Sequence, residues 1–125
     1  MKRVCIISGI LLLLLATTGC ALQSPRLNFS SGPCDESIDP YGTDLGIEDV
    51  TWVDDTTLVV TAYVNINCAE EITGGDFKIY GDKIILEYMS LECETCTFCL
   101  CAHKLTYKFT NLEKKEYHFE LSRIT

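Results

Sequence analysis

Four cysteines within nine residues are the densest group of reactive side chains in this chain. They are Cys93, Cys96, Cys99 and Cys101, and His103 follows two residues later. Thiolates and imidazole bind zinc, thiolates also favour copper(I), and oxidised thiols form disulfides. The spacing therefore allows three kinds of chemistry: disulfide cross-linking, metal binding through these five residues, or thiol redox catalysis at Cys93 and Cys96.

The first nineteen residues indicate where this chemistry takes place. Lys2 and Arg3 precede an apolar run over residues 4–16, and the run ends in small residues before Cys20. A basic start, a short apolar run and a small-residue exit are typical of a secretory signal peptide. The run is shorter than the roughly 20 residues that a membrane-spanning helix needs. We therefore expect residues 1–19 to be a signal peptide and the protein to be exported.

The last residues of this segment and Cys20 form a motif that resembles one of a known family. Residues 17–20, Thr-Thr-Gly-Cys, resemble the lipobox of prokaryotic lipoproteins. The resemblance implies cleavage before Cys20 and a diacylglyceryl group on its sulfur, which makes the cell membrane or outer membrane a partner of the protein. The alternative is an ordinary cleaved signal, with Cys20 joining a disulfide.

The charge of the mature chain restricts its other partners. Lys2 and Arg3 are lost with the signal, so 18 acidic and eight basic residues remain, a net charge of −10. Nucleic-acid binding requires basic patches, and this composition excludes it as the expected function. A protein or surface ligand of the envelope is the partner class that stays open, and we expect no cofactor.

Six cysteines remain in the mature chain when the lipidated Cys20 is set aside, and they favour a disulfide framework. Their number is even, the compartment is oxidising, and a core of about 80 residues gains little from burial alone. The disulfide candidates are Cys34, Cys68, Cys93, Cys96, Cys99 and Cys101. The alternative is a metal site of Cys93, Cys96, Cys99, Cys101 and His103, although structural zinc usually draws on two separated ligand pairs. Redox catalysis is disfavoured because Glu92 and Glu94, rather than cations, flank Cys93.

The mature chain divides into a leader and a strand-rich domain. Residues 20–46 contain several turn dipeptides and no period of 2 or 3.6, so we interpret them as a tether. Residues 47–125 are predicted to form an all-β sandwich of about six strands. In the clearest of these, residues 57–68, alternate residues from Leu58 to Cys68 face the core. Residues 69–75 are predicted to be a loop.

The last part of the domain resembles a second family. Leu112 ends a predicted strand and Tyr117 follows five residues later. This passage is similar to the Leu and tyrosine corner of fibronectin type III and related immunoglobulin-like domains. The resemblance implies a small immunoglobulin-like sandwich in which the Tyr117 hydroxyl bonds to nearby backbone.

The same resemblance implies a disulfide pairing. In immunoglobulin-like topologies the strand over residues 57–68 pairs antiparallel with the strand that precedes the tyrosine corner. The end of the first strand then meets the start of the second. On that basis Cys68 faces Cys99 or Cys101. Of these two we predict a Cys68–Cys101 disulfide, with Cys34, Cys93, Cys96 and Cys99 pairing among themselves.

No set of nucleophile, base and orienting group can be assembled from these residues. We therefore expect a protein that is not an enzyme. The sequence favours a lipid-anchored β-sandwich that acts as a binding or structural module of the cell envelope, with an envelope metal-binding protein as the alternative.

Overall fold

Seven β-strands form the part of the chain that the computed structural model describes, residues 24–43 and 45–124. The strands are β1 (Arg26–Cys34), β2 (Gly46–Trp52), β3 (Leu58–Asn67), β4 (Glu71–Tyr80), β5 (Lys83–Leu91), β6 (Leu100–Thr110) and β7 (His118–Ile124). One sheet has the order β1-β6-β3-β2 and the other β4-β5-β7. The prediction of an all-β sandwich is confirmed. Within the described ranges, no helix has the length and apolar character needed to cross a membrane.

Strands β3 and β6 are the centre of the larger sheet. They pair antiparallel over their whole lengths, from Leu58 opposite Phe109 to Asn67 opposite Leu100. The predicted alternation of β3 is confirmed, because Leu58, Val60 and the following alternate residues to Ile66 are buried. These side chains pack on the smaller sheet and form the core.

The smaller sheet combines a hairpin with a parallel strand. Strands β4 and β5 pair antiparallel around a turn in which Gly81 has a φ of 62°, a conformation that glycine adopts without steric cost. Strand β7 runs parallel to β5. Strand β4 starts at Glu71. The prediction of a loop over residues 69–75 was therefore wrong for most of its length, because pairing with β5 outweighs the weak strand propensity of the two glycines.

The predicted tether also differs from the structure. Residues 26–34 form β1, which pairs with β6 at the edge of the larger sheet. Its Phe29 packs against the core, with the ring centroid 5.0 Å from that of Tyr107. A Cβ on Gly75 of the opposite sheet would lie 2.3 Å from a Phe29 ring atom, so only glycine leaves room for this ring. Residues 26–34 thus belong to the sandwich, which has seven strands rather than six.

The connection between β1 and β2 covers the outer face of the larger sheet. The Tyr63 hydroxyl donates to Asp35 at 3.4 Å, and the Asn65 amide donates to the Pro40 carbonyl at 2.8 Å. Hydrogen bonds donated by Ser37 lower the pKa of Asp35. Residues 35–40 of the predicted tether are therefore also held against the domain.

The tyrosine corner is present as a hydrogen bond. The Tyr117 hydroxyl donates to the Glu113 carbonyl at 2.6 Å, and Leu112 is 2% exposed. This is the bond that the resemblance implied. The predicted signal peptide and Cys20 lie outside the described residues.

Candidate binding site at the distal pole

The sandwich has two poles, which we name by their relation to the start of β1. The proximal pole contains Arg26, which lies opposite Thr110 at the end of β6. The distal pole contains the start of β6 and the connection between β5 and β6, residues 92–99, which we call the distal loop. All six cysteines of the described residues lie at the distal pole or lead into it.

Three disulfides join these cysteines. They are Cys34–Cys101, Cys68–Cys99 and Cys93–Cys96, with Cα–Cα distances of 5.3, 5.4 and 5.3 Å. These distances lie within the range of about 4.4–6.8 Å that a disulfide requires. Among residues 24–43 and 45–124 no cysteine is left free.

The predicted Cys68–Cys101 pairing was therefore wrong, and the strand register gives the reason. Ile66 pairs with Cys101, so two residues further along β3 the chain meets Cys99. The Cys68 amide donates to the Cys99 carbonyl at 2.9 Å, which holds these two residues opposite each other. Cys101 instead bonds to Cys34, which ends β1 on the other side of β6. Sequence reasoning found the correct strand pair but not the register.

Asn67 holds the second half of the distal loop. Its side-chain amide donates to the Thr97 carbonyl at 2.6 Å, and its Oδ1 accepts from the Thr97 amide at 3.2 Å and hydroxyl at 3.0 Å. The Thr97 hydroxyl also accepts from the Cys99 amide at 3.3 Å. Together with two disulfides, these bonds fix a segment that belongs to neither sheet.

The fixed loop presents one large apolar side chain. Phe98 is fully exposed, with a relative accessibility of 105%, and Leu91 at the end of β5 is 60% exposed. The same loop contains Glu92 and Glu94 and has no lysine or arginine. The loop therefore exposes an aromatic ring and two carboxylates. Sequence reasoning missed Phe98, although an aromatic residue between two cysteines of a clamped loop was a usable signal.

The residues proposed as a metal site are only partly brought together. In the described part of the chain, a group of three sulfur atoms that all lie within 4.8 Å of one another belongs to Cys68, Cys99 and Cys101. Cys93 and Cys96 are not in that group, and His103 Nδ1 lies 2.9 Å from the Gly32 carbonyl oxygen. The contiguous motif from Cys93 to His103 thus does not form one ligand set.

A separate groove of about 440 Å³ opens at the proximal pole. Trp52, Tyr117 and Phe119 line it, and the ammonium of Lys115 lies 5.4 Å from the centroid of the Tyr117 ring. Its lysines are already paired with Asp55 and Asp82 at 3.8 and 4.0 Å. The groove therefore offers a ligand paired lysines together with the carboxylate of Glu116.

No protein-family model, curated protein or solved structure matches this chain. A function must therefore be inferred from the chemistry of its own residues.

Proposed function

We propose that this protein is an exported lipoprotein that acts as a non-catalytic binding module of the cell envelope. Cys20 carries the lipid anchor, in the cell membrane or the outer membrane. The ligand is a partner protein with an apolar pocket bordered by basic residues. The observation that carries the proposal is the complete exposure of Phe98 on a loop closed by two disulfides.

The construction of the loop supports a role in binding. A solvent-exposed aromatic ring contributes nothing to the stability of its own domain, whereas burial of such a ring in a partner contributes about 1.5–3 kcal/mol. Binding normally loses part of this gain to the ordering of loops and side chains. Here the disulfides and the Asn67–Thr97 bonds have already fixed the backbone on both sides of Phe98. Aromatic anchors of this kind dominate many interfaces.

The positions of the two poles along the sandwich agree with an anchor at Cys20. Arg26 lies six positions after Cys20, and a segment of that length spans at most about 20 Å. Arg26 lies at the proximal pole, while the distal loop precedes the first residue of β6. The eleven residues of β6 extend for about 35 Å between the poles. A domain held at Cys20 would therefore present Phe98 away from the membrane that anchors it.

Charge supports the choice of partner. Glu92 and Glu94 are exposed in the same loop as Phe98, in a chain with a formal net charge of −8. A basic border around the partner's pocket would complement these carboxylates and accelerate encounter. An anionic lipid surface would instead repel them.

Photo-crosslinking in intact cells of the source organism tests the binding site. A photoreactive phenylalanine analogue is placed at position 98 or, as a control, at position 80. Tyr80 is a suitable control because it is 60% exposed and precedes the Gly81 turn at the proximal pole. We expect a discrete protein adduct from position 98 that an excess of soluble wild-type domain abolishes and an excess of the Phe98→Ala domain does not. Equal adducts from both positions, or none from position 98, would contradict the proposal.

The anchor is tested separately by intact mass spectrometry of protein extracted from its own membrane. The proposal requires a chain that begins at Cys20 and carries a diacylglyceryl group. Free thiols are alkylated before denaturation without reductant, and we expect none. A mature chain without lipid would contradict the proposed membrane anchor but not the proposed binding role.

A further inference from the structure

The two larger disulfides lie side by side at the distal pole. Cys68 Sγ is 3.3 Å from Cys101 Sγ, although these two atoms belong to different disulfides. The Sγ atoms of Cys68, Cys99 and Cys101 all lie within 4.8 Å of one another, and the fourth sulfur, that of Cys34, is bonded to Cys101. We call these four residues the sulfur cluster.

Three sulfur atoms of the cluster lie within about the span of a tetrathiolate metal site, and the fourth is bonded to one of them. Zinc–sulfur bonds are about 2.3 Å long, so the sulfur atoms of a tetrahedral site are about 3.8 Å apart. Cys68 Sγ lies 3.3 Å from Cys101 Sγ, and no two of the Cys68, Cys99 and Cys101 sulfurs are more than 4.8 Å apart, so these three lie within about that spacing. Opening the two S–S bonds would let the bonded sulfurs move apart toward the same distance and would free Cys34 Sγ from Cys101.

The origin of the four ligands also fits such a site. Cys34 ends β1, Cys68 follows β3, and Cys99 and Cys101 lie at the start of β6. A metal bound to them would join three separate segments of one sheet, as structural zinc does when it closes a loop. Cys99 is exposed, and a shallow hollow of about 590 Å³ that includes Cys34 and Lys104 opens beside the cluster. An ion thus has a path to the sulfurs.

We infer that Cys34, Cys68, Cys99 and Cys101 form a binding site for one thiophilic d¹⁰ ion, such as zinc, when the chain is reduced. Two dithiol reductant molecules supply four electrons and four protons, break both S–S bonds and become two disulfides themselves. Metal binding then replaces the four thiol protons with four metal–sulfur bonds. The same four residues hold the distal pole by disulfides in the oxidised chain and by a metal in the reduced chain. This site does not depend on the proposed role of Phe98.

Metal titration of the reduced full chain without its signal tests the inference. A phosphine reduces the disulfides under anaerobic conditions, each phosphine taking one oxygen from water as it breaks one S–S bond, and it is then removed. Cobalt(II) serves as the spectroscopic probe and zinc as its competitor. We expect one cobalt per chain with the visible bands of tetrahedral thiolate coordination, displacement by one zinc, and release of four protons near neutral pH.

Two double variants locate the ligands. Cys93→Ser with Cys96→Ser keeps the sulfur cluster and should leave cobalt stoichiometry and spectrum unchanged. Cys68→Ser with Cys99→Ser removes two of the four ligands and should abolish the four-thiolate spectrum. A spectrum that is lost with Cys93 and Cys96 instead, or no stoichiometric binding, would overturn the inference.

Circular dichroism tests whether the metal is bound by a folded or by an unfolded chain. If the reduced, metal-free chain loses its β-sheet spectrum, zinc should restore it in the wild type and in the Cys93→Ser, Cys96→Ser variant, because metal binding then contributes to folding. Metal bound without recovery of that spectrum would also overturn the inference, since the site requires the paired strands to bring its ligands together.

Discussion

The proximal and distal poles of the sandwich are held by different interactions. At the proximal pole, Trp52 and Tyr117 lie with ring centroids 6.5 Å apart above the buried Leu112, and the tyrosine corner fixes the connection into β7. At the distal pole the loop buries little apolar surface and is held by disulfides and by the side chain of Asn67. One pole is thus stabilised by packing and the other by covalent and polar links.

This difference explains why the distal pole can present an exposed aromatic ring. A loop ordered by burial must turn its large apolar side chains inward, because burial is the source of its stability. A loop ordered by disulfides has no such requirement, since cross-links lower the entropy of the unfolded chain whatever its surface exposes. Phe98 is free to face outward for this reason.

Removal of disulfides should have the largest effect and should depend on the length of chain that each one closes. The Cys34–Cys101 bridge spans 67 residues and the Cys93–Cys96 bridge spans 3. We expect replacement of the first pair by alanine to lower the free energy of unfolding by about 4 kcal/mol, and of the second by about 2 kcal/mol. Urea unfolding under non-reducing conditions measures both. Equal losses would show that the distal pole does not depend on chain closure.

Truncation of one leucine at each pole measures how much packing contributes to the stability of that pole. Leu112→Ala at the proximal pole should lower the free energy of unfolding by about 2–5 kcal/mol, because this buried side chain leaves a cavity. Leu91→Ala at the distal pole should change it by less than about 0.5 kcal/mol, because this side chain is largely exposed. Thermal denaturation of both variants provides the measurement. A large loss for Leu91→Ala would mean that packing also holds the distal pole.

Gly75→Ala tests the packing of β1 between the poles. The new methyl group would overlap the Phe29 ring, so we expect a loss of about 1–3 kcal/mol. Gly74→Ala is the matched control, since its Cβ would meet only the flexible end of Met89 at 3.3 Å. Chemical denaturation should separate the two variants by at least about 1 kcal/mol. Indistinguishable variants would argue that residues 26–34 do not pack against β4.

Tyr107 gives the smallest effect and links the two sheets by a hydrogen bond. Its hydroxyl donates to the Glu87 carbonyl at 2.8 Å, and burial raises its pKa well above the ordinary value near 10. The unfolded chain loses this proton first, so the stability is complete below about pH 10 and declines as the pH rises beyond it. Tyr107→Phe should cost about 1 kcal/mol at neutral pH and reduce the alkaline decline. Melting temperatures from pH 8 to pH 11 provide the test, and an unchanged decline in the variant would contradict it.

The strand pattern illustrates how far periodicity reaches. Alternation predicted β3 and the buried positions of β6, because a two-residue period with one apolar face has few other interpretations. The same reasoning missed β1 and most of β4. In β1, Leu27 and Phe29 pack against the core from a segment rich in turn residues. In β4, two glycines, Gly74 and Gly75, interrupt the strand pattern, and local propensity assigns them to a loop. Both strands form because each pairs with a neighbouring strand, β1 with β6 and β4 with β5.

The candidate site was predicted less completely than the fold. The density of cysteines marked the region from Cys93 to Cys101, but spacing alone does not reveal which sulfur atoms approach one another. A shift of two residues along a strand exchanges Cys101 for Cys99 as the partner of Cys68, and that shift is set by pairing along the whole of β3 and β6.

The sequence by itself determined the all-β class, the buried face of the central strands and the supply of six cysteines for cross-links. These features depend on local periodicity and composition, which one amino-acid sequence is enough to show. Only the tertiary structure decided the disulfide pairing, the membership of β1 in the sandwich and the exposure of Phe98. Each of these depends on residues distant in the sequence meeting at one place, and their register is fixed by the summed packing and hydrogen bonding of both sheets.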